Sequence, residues 1–455
     1  MKTHLQHRQL SCIAGLVAAF ILNEAKAVNI FPIATNSESE FAFGTAFDGS
    51  NYLVAIQVGS FTNGSITAQR VSQSGTNVGS RILTGDSGFM PLLAFDGTNY
   101  LMVWSGSATN PGFRGRFVSK SGTLGNSVTI DTVTPRAASI AYGGGKYLTC
   151  WSGGGTLMGR LVTPAGTNFA PSFPISGTVD QTRNSAVAFD GNNFFVAFNG
   201  SGNLLTNIYG RFVSTNGDLV VVPDNRLIDG STDPSDNPLA ATFDGTNYLV
   251  AFNDEVGGLG GAFHVFGRLV TTSGIVLTNR IPLANGPGAQ HFPALAFDGS
   301  SHLLAWMDGV TMTNLNLIFR FFNRAGEPLG PEFSPFMSQG TNLAALGGPF
   351  FGGTKYLLVG MLGNFSNGLN ATNADVYGAF IPGPPRLDVA GPLAGAHFPL
   401  LLTGTTGFSY VIQMTTNVAL PNWTALVTNS PTNGTFSFTD SQATNASRFY
   451  RAMTQ

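Results

Sequence analysis

The stretch Pro293-Ala-Leu-Ala-Phe-Asp-Gly-Ser-Ser-His-Leu-Leu-Ala-Trp306 decides the fold, because similar copies of it recur along most of the chain. It predicts a β-hairpin: two short apolar runs flank Asp298-Gly299, and a primed hairpin turn favours Asp-Gly because glycine accepts a positive φ. The six other copies begin at Thr45, Leu93, Ile140, Val187, Ala241 and Pro349. We number the seven hairpins, each with the residues that follow it, repeats one to seven, so that the quoted copy belongs to repeat six.

A second pair of strands follows each hairpin. Its first strand carries an arginine in six repeats, at Arg70, Arg116, Arg160, Arg211, Arg268 and Arg320. A turn dipeptide such as Ser74-Gly75 or Ala165-Gly166 comes next, and the last strand ends in a short apolar run such as Phe173-Pro-Ile175. Each repeat therefore predicts four antiparallel strands in about 50 residues, which is the length of a propeller blade.

The apolar runs favour a propeller over a one-sided sheet. Tyr100-Leu-Met-Val-Trp104 and Tyr248-Leu-Val-Ala-Phe252 are apolar at every position, so both faces of these strands should be buried. In a propeller, each blade packs between two neighbours. A β-solenoid is the structural alternative.

The two ends of the repeat array complement each other. Repeat seven has a third strand at Val376-Tyr-Gly-Ala-Phe-Ile381 but no fourth, because Gly383-Pro-Pro385 follows. The missing strand has a match at Val28-Asn-Ile-Phe-Pro-Ile-Ala34. A first strand that completes the last blade closes the ring and removes two sheet edges. We therefore predict an all-β chain whose residues 28–384 form a seven-bladed β-propeller of four-stranded antiparallel blades, closed by the N-terminal strand.

Residues 385–455 lose the repeat, and their spaced apolar runs predict a small C-terminal β-sandwich. Tyr410-Val-Ile-Gln-Met-Thr-Thr-Asn, Asn422-Trp-Thr-Ala-Leu, Phe438-Thr-Asp440 and Arg448-Phe-Tyr-Arg451 resemble a module that ends many large secreted bacterial proteins, although Met414 departs from its pattern. The resemblance implies an exported, surface or matrix setting and brings no catalytic residues. The seven repeats resemble β-propellers in general, without the WD40 or kelch motifs.

Residues 1–27 predict a secretory signal peptide: Met1–Arg8 is basic, Ile13–Leu22 is apolar, and Ala25-Lys-Ala27 suits cleavage. No later run is long enough for a transmembrane helix, so we expect a secreted or surface-located chain without a membrane anchor. Only Cys150 would remain after cleavage, which excludes an internal disulfide.

Composition excludes one class of partner. Charged residues make up 10% of the 455-residue chain, the net charge is −2, and no basic cluster occurs. The electrostatic signature of nucleic-acid binding is therefore missing.

Candidate binding residues concentrate in repeats five and six, where the loops differ most from the other copies. They are Asp233, Asp236, Asp254, Glu255, His264, His291 and Asp308. Carboxylates and a histidine that converge there could bind Ca²⁺ or act as acid and base on a glycan, with Asp254, Asp308 and His291 as the catalytic candidates. The alternative is that they are ordinary polar residues of a solvated rim. Nothing in the sequence requires Ca²⁺ or any other cofactor.

The recurrent aspartates, among them Asp48 and Asp298, are first of all turn residues, because repeats three and seven replace them with Gly143 and Gly352. The recurrent arginines are interpreted as structural struts, some of which would pair with the turn aspartates. Nucleophile-elbow, Walker, zinc-protease and EF-hand motifs do not occur in the sequence.

Three functions fit these observations. The leading hypothesis is a secreted, non-enzymatic binding or adhesion protein, in which a monomeric propeller holds a glycan or surface protein on its variable loop face. The second is a carbohydrate-active hydrolase or lyase with its site over the propeller channel. The third is a structural envelope or matrix component.

Overall fold

The computed structural model describes residues 28–454 except 61–62, 178–183, 203–204, 221–225, 231–238, 257–261, 278, 310–315, 337–342, 345–347, 367–369, 392–396, 407, 418–421 and 444–446. The predicted signal peptide, residues 1–27, therefore lies outside the described residues. All regular elements in the described part are strands, joined in antiparallel sheets. None of these described elements is a helix that could cross a membrane.

The chain divides into two units, and the repeats occupy the larger one. This repeat unit comprises Val28–Pro328 and Glu332–Ile381, and the described part of the smaller unit comprises Leu329–Pro331 and the chain from Pro382 onward. Each unit has its own core and is described by itself.

Repeats one and two share a seven-stranded sheet. Its order is β2 (Glu40–Phe47), β3 (Asn51–Ser60), β4 (Asn63–Ser72), β5 (Ile82–Phe95), β6 (Asn99–Gly106), β7 (Phe113–Ser119) and β8 (Leu124–Asp131). The long strand β5 pairs with β4 through its first half and with β6 through its second half. It is thus the last strand of repeat one and the first strand of repeat two.

Repeats three to five each form a separate sheet. Repeat three contains β9 (Ala138–Gly143), β10 (Lys146–Gly153), β11 (Thr156–Val162) and β12 (Phe173–Pro174). Repeat four contains β13 (Ser185–Phe189), β14 (Asn193–Gly202), β15 (Leu205–Ser214), β16 (Leu219–Val220) and β17 (Arg226–Asp229). Repeat five contains β18 (Leu239–Phe243), β19 (Asn247–Val256), β20 (Ala262–Thr271) and β21 (Ile281–Ala284).

Repeats six and seven complete the unit. Repeat six contains β22 (Ala289–Phe297), β23 (His302–Gly309) and β24 (Asn316–Phe322). Repeat seven contains β25 (Leu343–Ala344), β26 (Pro349–Phe351), β27 (Lys355–Ser366) and β28 (Asn370–Pro382), and its sheet also includes β1 (Ile30–Ala34). The pairing of β1 with β28 is antiparallel and sets Phe31 opposite Gly378. The predicted pairing of the first strand with the third strand of repeat seven is confirmed.

Glycine is required at position 378. A Cβ atom added to Gly378 would lie 2.5 Å from a ring carbon of Phe31. The absence of a side chain there lets the aromatic ring of β1 lie flat on β28.

The hairpin turns show why Asp-Gly recurs. Gly299 has φ +94°, a conformation that glycine adopts without a Cβ clash. The carboxylate of Asp298 accepts hydrogen bonds from the backbone N–H groups of Ser300 and Ser301 at 2.8 and 2.7 Å. Four residues separate the paired Phe297 and His302, so the loop is longer than the primed two-residue turn that Asp-Gly suggested. The carboxylate satisfies the extra N–H groups of this longer loop.

The second strand of each hairpin is buried on both faces, as its uninterrupted apolar sequence predicts. Tyr52, Leu53, Val54, Ala55 and Ile56 have no exposed surface. The corresponding residues Tyr100 to Trp104 of repeat two are at most 1% exposed. Stability of the repeat unit therefore comes from packing between successive sheets.

Tyrosines at the start of these strands join neighbouring repeats. The hydroxyl groups donate to the backbone carbonyl oxygen of the corresponding residue in the preceding repeat. The pairs are Tyr100 with Asn51 at 3.2 Å, Tyr147 with Asn99 at 3.0 Å, and Tyr356 with Ser301 at 3.2 Å. Tyr52 of repeat one makes the same bond with Lys355 of repeat seven at 3.1 Å.

The smaller unit contains two three-stranded antiparallel sheets. One contains β29 (Arg386–Val389), β30 (Phe398–Thr403) and β33 (Thr435–Asp440), and the other contains β31 (Tyr410–Thr415), β32 (Thr424–Asn429) and β34 (Phe449–Thr454). Residues of both sheets share one hydrophobic cluster, in which Phe398 stacks on Tyr450 at 5.1 Å. The carboxylate of Asp440 accepts from the Tyr450 hydroxyl at 2.9 Å and pairs with Arg448 at 2.7 Å.

Candidate functional site

The structure describes five of the seven candidate residues. Asp254 and Glu255 lie near the end of β19, and His264 lies opposite Asp254 on β20. His291 lies in β22 and Asp308 in β23. Asp233 and Asp236 lie outside the described residues.

Aromatic contacts bring repeats five and six together at this place. The ring of His291 lies 4.8 Å from the ring of Phe263, which is on β20 beside His264. His264 stacks on Phe266 with ring centroids 6.4 Å apart. We call Glu255, Phe263 and His291 the five-six surface, and all three are half-buried. His264 lies on the opposite face of β20, with Asp254 and Phe266, and does not belong to this surface.

Burial sets the charge of one member of this surface. It lowers the pKa of His291 below its usual value of 6.5. The imidazole is therefore neutral at neutral pH and can both donate and accept a hydrogen bond.

Asp254 is held by an arginine that the sequence did not single out. Its carboxylate is 1% exposed and lies 2.7 Å from Nη1 of Arg280. Arg280 also donates through Nε to Asp229 at 2.8 Å, and Arg268 contacts Asp229 at 2.6 Å. Burial by itself lowers the pKa of Arg280, but the carboxylates of Asp229 and Asp254 outweigh that effect and raise it.

The guanidinium group of Arg280 is also enclosed by aromatic rings. It faces Phe266 at 5.0 Å and Phe252 at 5.8 Å. These contacts join β17 of repeat four to repeat five through a network of two carboxylates and two arginines. The sequence analysis did not single out Asp229 and Arg280, because neither belongs to the recurring pattern. The signal that could have found them is a carboxylate in the last strand of repeat four.

Asp308 has a different partner from Asp254. Its Oδ1 accepts from Nε2 of Gln290 at 2.8 Å, and the same amide nitrogen donates to the carbonyl oxygen of Gly288 at 2.7 Å. Gln290 is buried next to His291 in β22. Asp308 is thus part of a hydrogen-bonded group within repeat six.

These contacts determine what the carboxylates can do. Asp254 is buried and paired with Arg280, so its carboxylate holds β19 in place and does not face a ligand. In the described part of the chain, no three His, Cys, Asp or Glu side chains gather into a metal-binding group.

The recurrent arginines contact groups other than the turn aspartates. Arg70 donates to the carbonyl oxygen of Ser121, and Arg160 donates to that of Ile130. Arg116 lies 3.5 Å from Asp86. For these three arginines, the proposed pairing with a turn aspartate is wrong, because each side chain contacts the neighbouring repeat instead.

Comparisons with known proteins do not identify a family. No protein family model matches the chain, and no curated protein sequence matches it. Among solved structures, the hydrazine synthase of Kuenenia stuttgartiensis aligns with a TM-score of 0.44 and 16% identity, over 63% of this chain and 80% of that chain. A puromycin hydrolase aligns with a TM-score of 0.43 and 13% identity, over 87% of this chain and 62% of that chain. Both alignments are too loose to support an argument about function.

Proposed function

We propose that this chain is a secreted, non-enzymatic binding protein in which a seven-bladed β-propeller, residues 28–384, holds a glycan or surface protein. A C-terminal β-sandwich, residues 385–455, accompanies it. The seven repeats supply the blades, and β1 supplies the fourth strand of blade seven. We propose a monomer that acts outside the cell or on its surface after removal of residues 1–27.

Contacts between repeat one and β1 support closure of the ring. The turn glycine Gly75 lies against the Phe31 ring, and Nδ2 of Asn77 donates to the carbonyl oxygen of Ile33 at 3.0 Å. Repeat three contacts the last strand of repeat two in the same way, through Asn168 and Thr129 at 3.1 Å. Repeat one therefore packs against β1 as repeat three packs against the last strand of repeat two.

The contact between His291 and Phe263 carries the proposal of a binding surface. It joins two repeats at 4.8 Å and sets a neutral imidazole beside the ring of Phe263, which is itself paired across the strands with Glu255. Aromatic rings accept the apolar face of a sugar, while imidazole and carboxylate groups hydrogen-bond its hydroxyls. This combination favours a glycan as the ligand of the five-six surface.

The contacts of Asp254 and Asp308 favour binding over hydrolysis. A hydrolase that used them as acid and base would have to release the buried Asp254 from Arg280 before its carboxylate could reach a glycosidic bond. As a binding protein, the chain can retain both contacts while the ligand is bound. The hydrolase or lyase remains the alternative, and a structural matrix component is the third possibility.

The experiment is retention of residues 28–455 on an array of polysaccharides and oligosaccharides, with the glycans analysed afterwards. Binding predicts retention with glycans of unchanged length. If the wild-type protein shortens the glycans and the Asp254→Asn/Asp308→Asn variant leaves them intact, the result would establish the hydrolase instead. Self-association without retention would favour the structural component.

A further inference from the structure

A cavity lies between repeats two and three, away from the five-six surface. Its volume is about 310 Å³, and it is bounded by β7 and β8 on one side and by Pro164 and Ala165 of the next repeat on the other. This volume is at the lower end of the range for small-molecule sites, roughly 300 to 1,000 Å³. It suits a ligand of one ring.

The cavity lies at a junction, between repeats two and three, that is packed differently from the junctions before repeats four and six. In repeats four and six, the turn glycines Gly217 and Gly326 lie against Phe173 and Ile281 of the preceding outer strand. In repeat three, Gly166 instead faces the ring of Phe117, on the strand before the outer one.

Phe117 lines the cavity but is only 6% exposed. Gly125 of β8 passes so close to Phe117 that an added Cβ atom would lie 3.1 Å from the Cβ atom of Phe117. The main apolar surface of the lining is therefore the exposed Pro164, on which the C–H face of a sugar ring can pack.

Two side-chain amides provide polar groups at the rim. Asn99 and Asn126 line the cavity, and neither amide group makes a hydrogen bond within the described residues. Each amide can donate and accept, which matches hydroxyl groups. Ser119 and Thr123 also line the cavity, but Ser119 Oγ already accepts from the Thr123 N–H at 3.0 Å.

The lining contains no charged side chain. An ionic ligand would lose hydration there without a compensating partner. A neutral ligand with an apolar face and several hydroxyl groups fits the lining better. We propose that this cavity binds one uncharged sugar residue, as a second carbohydrate site independent of the five-six surface.

The test is saturation-transfer NMR of residues 28–455 with glucose, galactose, mannose, xylose and N-acetylglucosamine, each added separately. At least one sugar should receive saturation from the protein. Ala165→Trp, which fills the cavity from an exposed turn, should weaken that sugar at least tenfold, and Asn126→Ala should weaken it several-fold.

Ala325→Trp is the matched control, because Ala325 is the equivalent exposed turn residue of repeat six. The Ala325→Trp variant should bind the sugar as wild type does. All variants should unfold at the wild-type temperature. Absence of saturation for every sugar, or equal binding by Ala165→Trp and wild type, would overturn the proposal. The Glu255→Gln/His291→Ala variant should keep this sugar binding even if it loses array retention, so the two proposed sites fail separately.

Discussion

The hydroxyl group of Tyr52 donates to the backbone carbonyl oxygen of Lys355 at 3.1 Å, across 303 positions of sequence. Lys355 in turn donates through Nζ to the carbonyl oxygen of Gln73 in repeat one. These two bonds join the first repeat to the last in the manner in which Tyr100 joins repeat two to repeat one. The junction of repeats one and seven is thus built like the junction of repeats one and two, as closure of the repeat array requires.

Tyr52→Phe should destabilise the repeat unit by about 1 to 2 kcal/mol, because it leaves the Lys355 carbonyl oxygen without this donor. Chemical denaturation with linear extrapolation measures the change. Tyr142→Phe is the control, since all six other repeats carry phenylalanine at that position. Equal effects of the two substitutions would contradict a role for the Tyr52 bond.

Gly378→Ala should loosen β1. The added methyl group would meet the Phe31 ring at 2.5 Å, and overpacking of this kind typically costs about 1 to 3 kcal/mol. In Gly153→Ala the nearest atoms would be 3.5 Å away, so that variant should remain close to wild type. Limited proteolysis should cleave near residue 34 faster in Gly378→Ala alone; equal cleavage of both variants would show that β1 does not depend on this contact.

Arg280→Met should destabilise the protein by roughly 3 kcal/mol, because the carboxylates of Asp229 and Asp254, each 1% exposed, lose a charged partner. Arg386→Met removes a comparable ion pair with Asp388, but that pair is exposed and should contribute less than about 1 kcal/mol. Urea denaturation of both variants compares the two losses. A small effect of Arg280→Met on the free energy of unfolding would mean that Asp254 is not a structural anchor. Asp254 would then again be a candidate catalytic acid.

His302 should make the fold sensitive to acid. It occupies the tyrosine position in repeat six, and its Nδ1 lies 3.0 Å from Thr242 Oγ1. Burial lowers the pKa of His302 from 6.5 to about 4; Asp244 and Asp298 offset part of this decrease, and Arg324 adds to it. The unfolded chain therefore binds more protons than the folded chain between pH 6.5 and about 4.

Stability should be complete above pH 6.5 and should fall by roughly 3 kcal/mol as the pH drops to about 4. His302→Tyr introduces the residue that five of the other six repeats carry and should remove most of this decrease, leaving the smaller contribution of His291. Thermal unfolding measured from pH 7 to pH 4 compares the two proteins. An unchanged acid dependence in His302→Tyr would show that the decrease arises elsewhere.

The parts of the structure that repeat were predictable from sequence. The recurring hairpin predicted the antiparallel pairing of its two strands in every repeat, and the match of Phe31-Pro-Ile33 to Phe173-Pro-Ile175 indicated that β1 supplies a missing strand. The prediction of four separate strands in every repeat was wrong in detail, because repeats one and two share one seven-stranded sheet and repeat six shows three strands in its described sheet. The turn aspartates were also correctly interpreted, since Asp298 accepts from its own loop. Periodic patterns carry this information because each copy faces the same packing environment.

The contacts of the candidate residues could not be predicted from the sequence. The contact of His291 with Phe263 depends on how β22 packs against β20, and the pairing of Asp254 with Arg280 depends on a side chain that reaches across strands. Neither distance follows from spacing in the sequence. The same holds for the cavity at Phe117, which arises from a local departure in packing that the turn sequence Pro164-Ala-Gly166 does not reveal.

The most direct test of the account is the affinity of residues 28–455, and of their Glu255→Gln/His291→Ala variant, for a glycan retained on the array. Asp218→Asn, an exposed carboxylate in the outer turn of repeat four, is the control. The account predicts that wild type and Asp218→Asn bind alike without altering the glycan, whereas the double variant binds at least tenfold more weakly. Equal affinity of all three proteins, or shortening of the glycan by wild type, would contradict it.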